Sequence, residues 1–449
     1  MEHLKQTENI AGLFDQILES EPKLVTNYVP EKLSAEQQKA DFMSGNIRNP
    51  NHVYDRLDSV NIEKAFHSIE MTGRSILDHT DLDPRHAVVY EEFVESYLKK
   101  TRLMELAREF NHAEEPDKKA HLRDEYMRLN VELYGEPDKI TYESLLQEKL
   151  ENISHKDIGE AGMHIRGELF DMLDYVPGAG QSERFKPSED TIEWMQGVVE
   201  ALYGDMLAHI PQKPMFTSQE VSAIFTEIIE QEFGESAQGW RVDIEDAKAI
   251  NVKTAEKRIV IPEDRVDISE EKLKGLVVHE LGVHMLRSII GGETDLLPLR
   301  TGLNDYYDAE EGLGVVMEQA LKGEFRESGV DHYITAGLAY FDKKDFRDLF
   351  EAKWRLSVLG LLGDNEDDVT DEMITKAKNS AYGSVMRSLR GTDELPWFKD
   401  LAYYNGASDV WKHLENIKGD DLKFTFVLMG KANSANRKHE RILLETRTI

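Results

Sequence analysis

The residues best suited to chemistry lie in one run, Val277-Val278-His279-Glu280-Leu281-Gly282-Val283-His284-Met285-Leu286. It reads His-Glu-x-x-x-His. The familiar metal helix is one residue shorter, His-Glu-x-x-His, and sets two rings on one face with a carboxylate beside them. Residues four apart on an α-helix are offset by about 40°, and residues five apart by about 140°. A regular helix therefore cannot aim both rings at one ion. A helix widened by a π turn absorbs the extra residue and restores the common face. Gly282 lies inside the interval and tolerates such a distortion. The chemistry expected is metal-assisted hydrolysis.

A catalytic zinc site takes three protein ligands and keeps one position open. The chain has no cysteine, so the third ligand should be a carboxylate. The downstream stretch Asp308-Ala309-Glu310-Glu311-Gly312-Leu313-Gly314 supplies two candidates, Glu310 and Glu311. Two histidines and a carboxylate suit Zn2+, and such a set also accepts other divalent ions. His164, His332, His413 and His439 have no partner at ligand spacing. They read as surface or satisfied core residues. The acidic stretch 363–372 lacks the ligand spacing of a calcium loop and reads as a solvated turn.

The surrounding pattern says what must hold these residues. Alternation of Trp240, Val242 and Ile244, then Ile250 and Val252, then Ile259 and Ile261, predicts short strands, ended by Pro262. Ser269 should cap the next helix, with Glu270 and Glu271 in its first turn. That helix carries His279 and His284, and a second helix should begin near 308 and carry the glutamates. Helical spacing covers 89–109, 119–134, 190–208 and 218–233, with Gly135-Glu136-Pro137 as a stop. The stretch 174–190 reads as a linker. The expectation is an α+β fold: a mostly helical, zincin-like core with a small sheet at 190–449. A helical amino-terminal region is expected at 41–180, after a loosely attached polar segment at 1–40.

Composition narrows the class. With 54 basic and 86 acidic residues the net charge is −32. That disfavours nucleic acid and anionic membrane as partners, since both demand a positive surface. The amino terminus lacks the pattern of a signal peptide. No apolar run approaches the roughly 20 residues that span a bilayer. A cytoplasmic protein is expected; its oligomeric state is not encoded in these patterns.

The combination HELGVHMLR, PLRTGL and AEEGLG resembles the tyrosine/phenylalanine carboxypeptidase family, which includes microtubule-associated tyrosine carboxypeptidases and bacterial proteins named for a QEGLA motif. Further landmarks follow in family order: NIRNPNHVYDRLD, LYGEPD, ITAGLAYFDKKDFRDLFE, RSLRGTDELPWFKDLAYYNG and FVLMGK. The resemblance spans about residues 40–440. It implies His279, His284 and Glu311 as zinc ligands, with Glu310 the alternative, and Glu280 as the catalytic carboxylate. Val283 and Gly314 stand where the family pattern has Thr and Ala, and SIIGGETDLLPL departs from it after Arg287; none of these is a ligand position.

The resemblance implies removal of a C-terminal Tyr or Phe from peptides or proteins. The bound ion would polarise the scissile carbonyl, and Glu280 would take a proton from water and pass it to the leaving amine. A carboxypeptidase must also read a terminal carboxylate, which calls for a fixed cation. Arg287, Arg390 and Lys399 are the candidates. Tyr307, with Tyr306, Tyr403 and Tyr404, could donate to the oxyanion or line an aromatic pocket. Two other readings compete: an aminopeptidase or endopeptidase on the same zinc core, and a non-catalytic, zinc-containing regulatory or peptide-binding protein. An intact Glu280 argues against the latter, because a structural site needs no base.

Overall fold

The computed structural model describes residues 9–21, 23–178, 183–247, 249–264, 268–363 and 369–446. Helices dominate, joined by one three-stranded sheet. The fold is α+β. The strands are β1 (Arg241–Glu245), β2 (Asn251–Lys253) and β3 (Arg258–Pro262), in the order β1-β3-β2. β3 runs parallel to β1, pairing Val242 with Ile259, and antiparallel to β2, pairing Val252 with Ile259. Ile259 and Ile261 are fully buried in the main core, but Val260 between them is buried as well, so β3 is covered on both faces instead of alternating as expected. Among the described residues no helix is long and apolar enough to cross a membrane.

Behind β3 the chain enters the helix that carries the histidines. Ser269 caps it by accepting from the Lys272 amide at 3.2 Å. Glu270–Leu276 is α-helical, Val277–Met285 is π-helical, and Leu286–Gly292 returns to α. The widening therefore extends well beyond a single turn. Gly282 shows why no side chain fits inside it: a Cβ there would lie 2.7 Å from the Tyr203 ring. The Tyr203 hydroxyl donates to the Gly282 carbonyl at 2.9 Å. Tyr203 comes from the helix Glu189–Ala208 and is buried. It supplies a partner at a point where the α ladder has been interrupted.

The helix Tyr307–Leu321 carries the glutamates and packs on Ala402–Ile417. The two backbones touch at a pair of glycines. A Cβ on Gly312 would lie 2.1 Å from the Gly406 carbonyl carbon, and one on Gly406 would lie 1.9 Å from the Asp308 carbonyl oxygen. This close crossing brings Tyr403 beside Tyr307 at the start of the glutamate helix.

The amino-terminal segment differs from expectation. Residues 10–20 form a helix whose Phe14 and Ile17 are fully exposure-free, packed with Ile69, Ile76, Tyr90 and Phe93. Its polar composition hid an apolar stripe made by Leu13, Phe14, Ile17 and Leu18. The division near 180–190 likewise separates sequence rather than cores. One hydrophobic cluster joins Phe42, Tyr142 and Leu169 to Tyr333, Trp354 and Phe398, and another joins Leu57 and Tyr126 to Leu395 and Trp397. The buried members of the cluster around the histidine helix all lie after residue 190, with Phe185 packed against them from before it. Of the linker, residues 179–182 lie outside the described residues, as do 364–368 of the acidic stretch.

Candidate active site

In a π-helix the bonds run from i to i+5, so residues five apart stack as residues four apart do in an α-helix. His279 and His284 accordingly face each other, Nε2 to Nε2, at 3.1 Å. Each ring is held from behind. His279 Nδ1 meets Glu318 Oε1 at 2.5 Å, and His284 Nδ1 meets Glu310 Oε1 at 2.8 Å. A carboxylate behind Nδ1 keeps the proton there, which leaves Nε2 with its lone pair free. Nitrogens turned towards each other in this way can share a proton, and can equally hold a metal ion between them. Glu311 completes the group: its carboxylate and the two imidazoles each bring one ligand atom within 4.8 Å of the others. The donor chemistry thus fits a divalent zinc-like ion.

Gly314 makes room for this arrangement. A Cβ at that position would lie 2.5 Å from His279 Nε2. The absent methyl leaves the space that the ring occupies, one turn along the helix from Glu311.

Charges around the group are uneven. Burial raises the His279 ring's cost of protonation, but the Glu318 hydrogen bond and nearby Glu280 outweigh it and lift its pKa to about 9 in the metal-free protein. Burial pushes the Glu280 carboxyl up from its usual range, while His279 and His284 pull the other way. Glu280 is 9% exposed. No hydrogen-bond partner holds it among the described residues. Burial would also raise Glu311, yet His284 and Lys399 hold it below the usual range.

Glu310 has a different duty from its neighbour. It accepts from His284, Arg287 and Lys431, all inside the protein. Arg287 is 1% exposed and reaches on to the Ala432 carbonyl. Arg287, expected as a substrate-facing cation, is turned inward in the structure. Its position three residues beyond His284 turns it inward against Glu310, where it fixes the carboxylate that fixes the ring. Glu310 is likewise a support rather than the third member of the ligand group.

On the other side of Glu311 stands a cation cluster. Lys399 Nζ bonds the Tyr307 hydroxyl and lies 4.1 Å from that ring's centroid. Burial brings the Lys399 amine down to about 8, with Glu311 and Asp400 opposing the shift. Asp400 takes both nitrogens of Arg387, at 2.6 and 2.9 Å, and lies 3.9 Å from Arg390. Arg390 stacks over Trp397 at 4.5 Å. Three cations with one carboxylate make a positive island in a protein of net charge −32. Tyr403 belongs to it. The Glu311 charge, with burial, raises its hydroxyl pKa, and its ring lies 5.6 Å from the Arg387 guanidinium.

Residues 192–351 match the family model of microtubule-associated tyrosine carboxypeptidase. The match agrees with the resemblance carried by the motifs, and it spans both histidines, Glu280 and Glu311. The cation island at 387–403 lies beyond the matched stretch. No curated protein matches the chain.

The structure brings together His279, Glu280, His284 and Glu311, and beside them Tyr307, Lys399, Arg390 and Tyr403. Tyr404 turns instead towards Glu327, at 3.4 Å, and Tyr306 is half-buried near Glu310. Sequence reasoning missed Glu318, Lys431 and Arg387. Glu318 carried a signal, since it lies seven residues after Glu311 on the same helical face. Arg387 and Lys431 lie in the landmarks RSLRGTDELPWFKDLAYYNG and FVLMGK, but only tertiary packing shows what they touch.

Proposed function

We propose that this protein is a zinc-dependent carboxypeptidase that removes one C-terminal residue, preferentially Tyr or Phe, from peptides or proteins. The observation that carries this reading is a His2Glu donor group lying directly against a cation island. An endopeptidase or aminopeptidase has no use for such an island, whereas a terminal carboxylate needs one.

His279, His284 and Glu311 would hold the ion, oriented by Glu318 and Glu310. The ion would supply Lewis-acid polarisation of the scissile carbonyl and a more acidic water. Glu280, buried and without a partner, takes the water's proton and passes it to the departing amine. Its place directly beside His279 suits a group that must both accept and release a proton without ligating. Lys399 and Arg390 receive the terminal carboxylate. Lys399 stays largely protonated at pH 7 with its pKa near 8. The rings of Tyr307 and Tyr403 flank the departing side chain, and their hydroxyls donate to developing negative charge.

The model's family name refers to microtubules, but an acidic tail is a poor partner for a chain at −32. We do not extend tubulin to this protein as its substrate. A chain without cysteine has no disulfide to form, which suits a cytoplasmic setting.

The test is mass spectrometry of peptide pools with varied C-terminal residues, as free acids and as amides. Loss of one terminal Tyr or Phe from the free acids alone is expected. Internal or amino-terminal cuts, or equal cleavage of the amides, would contradict the reading.

A further inference from the structure

The sequence landmark Asn46–Asp58 and the long amino-terminal helices contribute no atom to the metal group. They converge instead on the connection 389–397, which carries Arg390 and leads into the turn Phe398–Leu401 carrying Lys399 and Asp400. Asn130 is fully buried. Its amide donates to the Pro396 carbonyl at 2.9 Å, and its oxygen accepts from the Phe398 amide at 3.1 Å. Both backbone groups on either side of Trp397 are thus held by one side chain. Asn111 donates to the Gly391 carbonyl at 2.7 Å.

The middle of the connection is held at Asp393, which has φ 60, a left-handed conformation that Asp adopts more readily than most residues. Its carboxylate accepts three bonds from one short strip of chain: the His52 amide at 2.7 Å, His52 Nδ1 at 2.8 Å and the Tyr54 hydroxyl at 2.6 Å. With Nδ1 donating, His52 Nε2 accepts from the Tyr382 hydroxyl at 3.0 Å. The network is closed to solvent: the His52 side chain is 0% exposed and that of Asp393 5%. It joins the strip 52–54 to the connection entirely inside the protein. What it can do is fix a backbone.

We propose that Asn130, His52, Tyr54 and Asn111 are positioning residues that set the 389–399 connection and thereby aim Arg390 and Lys399 at the substrate's terminal carboxylate. The second half of this statement rests on the carboxypeptidase reading; the first half does not. A misplacement of about 1 Å at a substrate-orienting group can cost up to roughly a hundredfold in rate, so the amino-terminal region would tune substrate recognition without touching substrate.

The experiment uses the full chain with Asn130→Ala and Asn111→Ala. The second side chain is exposed, so its removal does not threaten folding. Hydrogen exchange is followed in peptides covering 389–400 and 277–286, alongside kcat and KM on free-acid peptides. In Asn130→Ala the account expects faster exchange in 389–400 only, KM raised about tenfold and kcat within about twofold. Asn111→Ala should move the same readouts less. Unchanged exchange in 389–400 for both variants would overturn the positioning role. Faster exchange with unchanged KM, or a loss of active fraction alone, would overturn the link to recognition. If wild type trims no free-acid peptide, the carboxypeptidase reading falls, and exchange in 389–400 still decides whether Asn130 holds the connection.

Discussion

Glu310 and Glu311 are neighbours in the chain and serve different layers of one site. Glu310 accepts from Nδ1 of His284 at 2.8 Å, while Glu311 joins the ligand group with His284 and His279. A helix offsets consecutive side chains by about 100°, which lets one carboxylate reach inward to Arg287 and Lys431 and the other face the histidines. The pair explains why two acidic residues stand before Gly312.

The carboxylates behind the rings should matter for metal retention. Supporting hydrogen bonds of this kind are worth about 10- to 100-fold in metal affinity. Glu318→Gln should therefore weaken zinc binding within that range, measured by competition with a chromophoric chelator. Unchanged affinity would mean that Glu318 does not orient His279.

Arg287 separates a structural role from a substrate role. Breaking a buried ion pair by removing one partner costs about 3–5 kcal/mol. Arg287→Ala should lower stability to urea by about that amount. Unchanged stability together with a raised KM would restore Arg287 to substrate binding.

The π-helix has its own support in Tyr203. Tyr203→Phe removes the bond to the Gly282 carbonyl and should cost about 1 kcal/mol. Gly282→Ala drives a methyl against the Tyr203 ring, and overpacking of this kind costs about 1–3 kcal/mol. Since the two residues touch, the double variant Gly282→Ala/Tyr203→Leu should be non-additive in urea unfolding. Strict additivity would contradict the contact.

Acid sensitivity should be partly traceable to His439. Burial, with adjacent Lys438, lowers its pKa from 6.5 to about 4, against the pull of Glu92. Its Nδ1 accepts from the Asn433 amide at 3.0 Å, a bond that requires that nitrogen unprotonated. Because the folded pKa lies below the unfolded one, the unfolded chain binds more protons between these values. Stability is full above the unfolded pKa and falls as pH drops from about 6.5 towards 4. His439→Asn keeps an acceptor near the same place without the titration. Thermal unfolding should show a smaller acid loss in that variant; an identical pH profile would contradict the assignment.

The legible parts of this protein were those written in local spacing. His279, Glu280 and His284 sit in one run, the apolar residues at 242–261 marked the short strands though not their faces, and Ser269 capped the helix that follows. The extra residue in the motif forced a widened helix before any coordinates. The unreadable parts depend on packing between distant segments. Arg287 looked like a free cation because nothing local shows Glu310 and the Ala432 carbonyl waiting for it. The amphipathic stripe at 13–18 was diluted by its polar neighbours. The cation island needed Arg387 and Asp400 to meet, and the hold of Asn130 on Phe398 spans most of the chain.

The most direct measurement of the central claim is zinc content and peptide cleavage, side by side, in wild type and Glu280→Gln. One zinc per chain is expected in both, with removal of a single C-terminal residue by wild type and a fall of at least about a hundredfold in the variant. Equal turnover in Glu280→Gln, or wild type that binds no zinc, would contradict it.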